Sequence, residues 1–329
     1  MARRNFIIIL FCSLLLTAAA CKCFMDYEET FGTPIKHIIK TKMPHEYLQA
    51  NQLPETFDWR NVNGSNYGSR VLNQQSPNVC GSCWAEAATG ALSDRYNIAT
   101  GNRLNIQLSP QQLLNFNAKT SGGSCNGGDA LKAYDFMHQY GISDAPFVGL
   151  NWLRGFSVAA MTDVDDVQSH QCYLCDWGGK CDFVKKGHFN LYGVDEFGVV
   201  LGEQQMMAEI YARGPLACSL NSEPASFDAY KSGIITCDPD VDGKLCNMKG
   251  TDHVVVIAGY GVDKTSGKKY WVGRNSYGTQ WGEGAGGGWF RLERGKDYLG
   301  LESHHCAWAV PAAVDVTRAL NQFDVSSPL

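Results

Sequence analysis

The chain has 329 residues, of which 44% are hydrophobic, and it carries a formal net charge of −5 with a pI near 5.9. This length and composition suffice for a large core in one or two domains and exclude a chain that is disordered throughout. The acidic balance, without a dense run of Lys and Arg interleaved with aromatic residues, argues against nucleic acid as a partner.

The first twenty residues have the order of a cleavable secretory signal. Two arginines follow Met1, an apolar run extends from Phe6, and it ends in three alanines at Ala20. The run is shorter than the roughly 20 apolar residues that a membrane helix needs, so an uncleaved anchor is the weaker alternative. We predict a signal peptide at 1–20, no membrane span, and a protein that reaches a lysosome or vacuole or is secreted.

Residues 21–52 are polar and charged, contain Cys21 and Cys23, and show no sustained apolar periodicity. They are interpreted as a short pro-segment. A folded domain is predicted at 53–313, followed by a weakly patterned tail at 314–329. The sequence Asn63-Gly64-Ser65 is an N-glycosylation sequon, which predicts a surface loop.

The first half of the domain is predicted to be helical. The segment 83–99 has small or apolar residues at helical spacing, namely Ala85, Ala88, Leu92 and Tyr96. Ser82 precedes this segment and is expected to cap the helix with its side chain, which places Cys83 at a helix N-terminus. Further helices are predicted at 109–116, 129–140 and 203–213.

The second half is predicted to be rich in strands. Runs of β-branched and aromatic residues separated by glycine-rich turns predict strands at 253–260, 269–274 and 288–292. A helical part followed by a stranded part indicates an α+β fold, and the cleft between the two parts is the expected site.

Thirteen cysteines in an exported chain indicate an oxidising compartment with several disulfides. Cys80 and Cys83 enclose Gly81 and Ser82. A redox pair would be expected in a small βαβ unit, and a zinc site would need a second pair of ligands at matching spacing; neither context is present. The remaining interpretation is one structural cysteine and one nucleophile, because the positive end of a helix stabilises the reactive thiolate.

A nucleophilic cysteine needs a base and a group that orients the base. His253 stands at the start of an apolar strand, and Asn275 stands where a strand ends in a turn. An asparagine oxygen can accept the Nδ1–H of imidazole and leave the other ring nitrogen towards the thiol. We therefore predict Cys83, His253 and Asn275 as one catalytic set.

With these residues the chain resembles the papain-like cysteine peptidases, family C1, over about residues 53–310. The run Cys80-Gly81-Ser82-Cys83-Trp84 matches the family's signature around its nucleophile. The resemblance implies a two-lobed α+β fold with a helical left lobe, a β-barrel-like right lobe and the active site between them. The spacing is longer than in common members, with His253 and Asn275 lying 170 and 192 residues after Cys83, which implies inserted loops near 145–185 and 235–250.

The resemblance also assigns the surrounding residues. Gln74 resembles the glutamine of the oxyanion hole. Gly127 and Gly128 resemble the stretch whose backbone pairs with the substrate. Trp84, Tyr277 and Trp281 resemble supporting residues, the last two covering the bond between His and Asn; the position of Tyr277 is usually tryptophan. No metal and no cofactor are implied.

Within the family the chain is similar to the cathepsin X (or Z) subfamily of carboxypeptidases. The pro-segment is short, and Gln74 lies nine positions before Cys83 instead of the usual six. The subfamily's extra loop carries a histidine that holds the substrate's terminal carboxylate. Here that loop is Gln75-Ser76-Pro77, so a neutral amide would replace the charge-assisted hydrogen bond, which is about twice as strong.

Family resemblance also implies disulfide pairs and a role for the pro-segment. It pairs Cys80 with Cys125, Cys175 with Cys181, and Cys218 with Cys306. Cys237 and Cys246 flank an acidic insertion that they would close, and Cys172 is left over, a buried thiol being one reading. Cys23 is expected to bond the catalytic thiol in the zymogen. Glu86 is either a carboxylate that complements the helix dipole or a charge that disfavours the thiolate.

The sequence thus predicts a lysosomal or secreted thiol protease, with removal of single C-terminal residues as the expected activity. The alternatives are a papain-like endopeptidase, a catalytically silent binding protein of the same fold, and a disulfide oxidoreductase, which would need Cys80 bonded to Cys83. The expected partners are peptide or protein substrates and the chain's own pro-segment as inhibitor. The protein is expected to be a monomer.

Overall fold

The computed structural model describes residues 24–76, 79–116, 118–145, 172–175, 181–184, 190–247 and 250–314, with only the backbone of 172–175, 181–184, 246 and 247. The predicted signal, Cys21, Cys23 and the predicted tail from 315 onward lie outside these residues, as does most of the insertion predicted near 145–185.

The helices in chain order are α1 Tyr27–Phe31, α2 Pro44–Tyr47, α3 Cys83–Ala99, α4 Pro110–Leu114, α5 Ala118–Ser121, α6 Ala130–Tyr140, α7 Gly202–Arg213, α8 Ala225–Asp228 and α9 Pro239–Asp242. Short 3-10 turns occur at Ala50–Gln52, Gly243–Asn247 and Tyr298–Gly300. The strands are β1 Phe57–Asp58, β2 Gly123–Ser124, β3 Gly127–Gly128, β4 Cys172–Cys175, β5 Cys181–Val184, β6 Val194–Val200, β7 Leu216–Leu220, β8 His253–Val262, β9 Lys269–Arg274, β10 Trp289–Glu293 and β11 Cys306–Pro311.

Seven strands form one antiparallel sheet in the order β10-β9-β8-β7-β11-β6, with β1 paired to β8. The side chains of β8 alternate between its two faces, as a pleated strand requires. Val254 and Val256 pack in the cluster that contains α3 and α6, whereas Val255 and Ile257 pack in the cluster that contains α7. The sheet is therefore covered by helices on both faces, and α3 lies directly against β8.

The part of the predicted pro-segment that the structure describes, from residue 24, lies along the domain. Its sequence shows no sustained apolar periodicity and no helix was predicted there, but α1 and α2 form in it. Asp26 caps α1 by accepting from the Glu29 backbone, and Gly32 ends it in the left-handed region. Further along, Ile38 exchanges two backbone hydrogen bonds of 3.0 and 2.9 Å with Phe197 of the edge strand β6.

Candidate active site

Cys83 is the first residue of α3 and is fully buried. The loop before it is fastened to the loop that ends in β3. Cys80 forms a disulfide with Cys125, at an S–S distance of 2.02 Å, and the Gly81 backbone donates to the Cys125 carbonyl at 2.7 Å. Because Cys80 is bonded to Cys125, it is not the partner of Cys83 that a redox pair requires.

Ser82 occupies the N-cap position of α3, but the predicted side-chain cap is wrong. Its hydroxyl makes no hydrogen bond to the helix backbone and instead donates to Oε1 of Glu86 at 2.9 Å. Glu86 is 4% exposed and lies in the first turn of α3. Glu86 and Asn275 line one small pocket together. The carboxylate therefore lies close to the predicted site and not on the outer surface.

His253 and Asn275 are brought together by two adjacent strands. His253 is the first residue of β8, and Asn275 directly follows β9. The His253 Nε2 atom lies 2.7 Å from Oδ1 of Asn275, and the Ser276 backbone donates to the same Oδ1 at 2.8 Å. An amide oxygen accepts, so Nε2 carries the hydrogen in this pair.

The prediction that Nδ1 of the ring meets the asparagine is therefore wrong, because β8 and β9 place Nε2 on that side. Nδ1 of His253 is buried and has no hydrogen-bond partner among the described residues. It is the ring nitrogen that is left for a reacting thiol. The Nδ2 atom of Asn275 is likewise buried without a hydrogen-bond partner in the described part of the chain.

Aromatic rings enclose His253. The Tyr277 ring lies 5.0 Å from the His253 ring, and Trp281 lies 5.8 Å from Tyr277. Phe227 of α8 adds a third side, 6.2 Å from His253 and 5.2 Å from Trp281. Sequence reasoning missed Phe227, because no motif marks α8 and the contact depends on tertiary packing alone. The rings keep water away from the bond between His253 and Asn275.

Gln74 is buried between Ser276, which follows Asn275, and the loop that leads into Cys83. The Ser276 hydroxyl donates to its Oε1 at 2.6 Å, while its Nε2 donates to the Cys80 carbonyl at 3.2 Å. The Gln74 backbone also donates to the Ser276 carbonyl at 2.9 Å. These bonds set the amide with its nitrogen towards the loop that leads into Cys83. Ser276 was not predicted, although its position directly after Asn275 was a usable signal.

The first described residues of the predicted pro-segment are bonded to both sides of the site. The Phe24 backbone donates to the carbonyl of Asp252 at 2.9 Å, and the Met25 backbone donates to the carbonyl of Gly128 at 3.0 Å. Two consecutive residues therefore connect the loop beside Cys83 with the residue that precedes His253. Gly128 needs to be glycine, because an added Cβ would lie 2.5 Å from the Trp84 ring. Gly127 pairs with Ser124 across β2 and β3.

The loop that carries Gln75 and Ser76 is exposed. Its start is fixed by the Gln75 backbone, which donates to Oδ1 of Asn73 at 3.0 Å. Pro77, the third residue of the predicted insertion, lies outside the described residues. Val79, two residues further on, is 69% exposed.

The structure contains the Cys218–Cys306 disulfide as well as Cys80–Cys125. Cys237 is also disulfide-bonded, and its expected partner Cys246 lies outside the described side chains. The side chains of Cys172, Cys175 and Cys181 lie outside them too. Asn63 of the sequon is exposed in a turn, with a positive φ of 53°.

In the described part of the chain, no helix is long and apolar enough to cross a membrane. Within the same residues, no group of three or more His, Cys, Asp or Glu side chains is arranged to hold a metal ion.

Comparison with known proteins matches residues 53–309 to the papain family of cysteine proteases. The chain is 36% identical over 282 residues to cathepsin Z of Onchocerca volvulus, covering 82% of this chain and 83% of that protein. It is 30% identical over 270 residues to a gut-specific cysteine proteinase of Caenorhabditis elegans, covering 81% and 77%. Among solved structures, the proform of the ragweed pollen allergen Amb a 11, a cysteine protease, has a TM-score of 0.60 at 23% identity, covering 86% of this chain and 72% of that chain.

Proposed function

Because the chain belongs to the papain family of cysteine proteases and has that family's α+β fold, we propose that it hydrolyses peptide bonds with Cys83, His253 and Asn275. The observation that carries this assignment is the 2.7 Å bond from His253 Nε2 to Asn275, which leaves Nδ1 for the thiol. Asn275 thereby orients the ring that acts as base and acid, and the start of α3 favours a thiolate at Cys83.

In the proposed reaction, His253 takes the thiol proton and the sulfur of Cys83 attacks the carbonyl carbon of the scissile bond. The tetrahedral intermediate collapses as His253 returns the proton to the leaving amine, which yields an acyl-enzyme. Water, deprotonated by His253, then attacks the thioester carbonyl and releases the carboxylate product and the thiol. The aromatic rings around His253 keep its bond to Asn275 dry during these steps.

Gln74 is assigned to the oxyanion. Ser276 holds its Oε1, so Nε2 faces the Cys83 side, where it already donates to Cys80. We assign the Gln74 amide as a donor to the oxygen of the tetrahedral intermediate, together with the Cys83 backbone N–H. Donors of this kind act on charge that develops only in the transition state.

The substrate is assigned to the path that the pro-segment takes. Phe24 and Met25 use the carbonyls of Asp252 and Gly128 as acceptors, and a substrate backbone could use the same two groups. The pro-segment therefore acts as the inhibitor in the uncleaved chain. Cys23 directly precedes Phe24, and we assign to it a disulfide with Cys83 that keeps the precursor inactive. Alkylation of Cys83 in the purified precursor without a reducing agent would contradict that bond.

The specificity assigned to the enzyme is that of a carboxypeptidase acting in the secretory pathway, in a lysosome or vacuole or outside the cell. The loop of Gln75 and Ser76 blocks the part of the site that would hold substrate residues beyond the scissile bond. The amide of Gln75 donates to the substrate's terminal carboxylate. This bond lacks the charge assistance of a protonated histidine, so the carboxylate is held less tightly. Similarity to cathepsin Z supports the assignment.

Mass spectrometry of one peptide digested by the mature enzyme tests this function. Stepwise loss of single C-terminal residues is expected, together with slower turnover of the C-terminally amidated peptide. Gln75→His is expected to increase the preference for the free carboxylate. Internal cleavage with equal turnover of both peptides would identify an endopeptidase. An epoxide inhibitor that fails to label Cys83 would remove the thiol mechanism altogether.

A further inference from the structure

A buried ion pair joins the helix of Cys83 to the strand that leads into Asn275. Arg274 Nη2 lies 3.0 Å from Oδ2 of Asp94, and Nη1 donates to Oδ1 at 3.2 Å. The two side chains are 4% and 0% exposed. Asp94 belongs to α3, which begins at Cys83, and Arg274 is the last residue of β9. The pair therefore links the element of the nucleophile with the residue that precedes the orienting asparagine.

Both partners of this pair have further contacts that prevent them from rotating. The Ser69 backbone donates to Oδ1 of Asp94 at 2.6 Å, and Arg274 Nη1 donates to the Ser69 carbonyl at 2.9 Å. The guanidinium also lies over the Trp289 ring, with Cζ 5.3 Å from the ring centre. The direction in which Arg274 leaves β9 is thus fixed by three elements of the chain.

The helix itself is shaped around the guanidinium. Gly90 lies in the interior of α3, where glycine is disfavoured relative to alanine. A Cβ at this position would lie 2.9 Å from Nη2 of Arg274. Because neither a turn nor a positive φ requires glycine at this position, the room needed by Arg274 is the physical reason for it.

We propose that Asp94 and Arg274 are positioning residues for peptide hydrolysis, acting through Asn275 on His253. Replacing a buried ion pair by apolar residues is often neutral or stabilising, so stability alone does not explain a pair buried this completely. A bidentate link does hold α3, at Asp94, against the end of β9, and Asn275 follows that end without an intervening residue. This inference rests on the proposed function.

The test compares Asp94→Asn with Glu209→Gln in the full chain, after cleavage of the pro-segment by an added endoprotease. Glu209 accepts from Arg95, the helix residue next to Asp94, at 3.0 Å, and both side chains of that pair are 0% exposed. That pair is directed at α7 and away from Asn275. Each variant removes the carboxylate charge of a buried ion pair that involves α3, but only Asp94→Asn is expected to lower kcat, by about tenfold or more, at a KM within twofold of the parent.

Gly90→Ala is a second, milder variant that decides the matter if Asp94→Asn does not fold. Alanine is a better helix former than glycine, so this change favours α3 itself. Its Cβ displaces the guanidinium of Arg274, however, so kcat is expected to fall severalfold. Arg274→Lys, which keeps the charge, is expected to retain more activity than Arg274→Gln. Unchanged kcat in Gly90→Ala, or an equal loss of kcat in Glu209→Gln, would overturn the proposal.

The same measurements separate this inference from the proposed function. Cys83→Ser tests the function, since the parent's turnover must depend on that thiol. If turnover survives in Cys83→Ser, the thiol mechanism is wrong, and the ion pair has no reaction to position. If turnover depends on Cys83 while Asp94→Asn and Gly90→Ala keep their kcat, only the positioning role is wrong.

Discussion

The carboxylate of Glu196 holds the proposed pro-segment at Lys40 and Thr41, and the effect of removing its charge can be calculated. Oε2 of Glu196 accepts from the backbones of Lys40 and Thr41 at 2.7 and 2.9 Å, and the Thr41 hydroxyl donates to Oε1 at 3.0 Å. Glu196→Gln keeps the shape but removes the charge from these bonds. We expect the pro-segment to bind more weakly without any change in the cleft.

The expected loss follows from the two backbone bonds. A hydrogen bond to a charged group is worth about 1.5–3 kcal/mol, and a neutral one about 0.5–1.5 kcal/mol. Losing the difference at both bonds to Lys40 and Thr41 amounts to about 2 kcal/mol, which corresponds to roughly a 30-fold change in an inhibition constant. The hydroxyl of Thr41 can still donate to the amide oxygen and is not counted.

The assay is inhibition of the mature enzyme by a synthetic peptide of residues 24–52. Asp195→Asn is the matched control, because Asp195 pairs with the Lys40 ammonium where both side chains are about half exposed, and such surface pairs contribute about 0–1 kcal/mol. Its inhibition constant is expected to change less than about fivefold. Equal effects of the two variants, or no effect of Glu196→Gln, would refute this account of the anchor.

The anchor also has a predictable pH dependence. Burial opposes ionisation of Glu196, but the hydrogen bonds from Lys40 and Thr41 outweigh it and hold the pKa of Glu196 below its usual value. A depressed carboxyl pKa means that the stabilisation is complete above the ordinary value of a glutamate and is lost as the pH falls through the depressed one. Inhibition by the pro-segment peptide is therefore expected to weaken on acidification, and to weaken less in Glu196→Gln.

Gln74→Ala is expected to lower kcat by about 10²–10³-fold with little change in KM. Steady-state kinetics on a peptide cleaved internally or at its C-terminus measures both constants, and an unchanged kcat would remove Gln74 from the oxyanion site. Burial raises the pKa of Asp144 to about 6, so the folded protein loses stability as the pH rises from about 4 to 6. In denaturant titrations Asp144→Asn should lack this loss and exceed the parent by up to about 3 kcal/mol at pH 7, with no gain below pH 4. Gly128→Ala should cost about 1–3 kcal/mol, because the Cβ would overlap Trp84, whereas Gly250→Ala, with open space around it, should change the melting temperature little.

The long elements were predictable because their patterns are local. The segment 83–99 has a helical period and the strand 269–274 is flanked by turns, and the structure gives both the same bounds. The short helices α1 and α2 were missed, because helices of four or five residues do not form from propensity and depend on caps and tertiary contacts. Strands β6, β7 and β11 were not singled out, because their pairing joins distant parts of the chain.

The contact between His253 and Asn275 was also predictable from the sequence, but the ring nitrogen predicted to meet Asn275 was the wrong one. Which nitrogen meets the amide depends on the side-chain rotamer that β8 imposes, and no residue pattern encodes that choice. The ion pair between Asp94 and Arg274 could not be predicted from the sequence either, because the two residues are 180 positions apart and only the tertiary fold brings them together. A charged residue on each of two predicted buried elements was the only available signal.

The pair of backbone hydrogen bonds between Ile38 and Phe197 has a consequence for an enzyme from which the proposed pro-segment has been removed. Once the pro-segment is removed, β6 becomes an uncovered outer strand, and uncovered strands invite pairing between molecules. Charged side chains along such a strand oppose that pairing, and Asp195 and Glu196 are placed there. Asp195 and Glu196, which first hold the pro-segment, would afterwards oppose pairing between the β6 strands of two enzyme molecules. A preparation at a pH low enough to neutralise both carboxylates would be the one most prone to self-association.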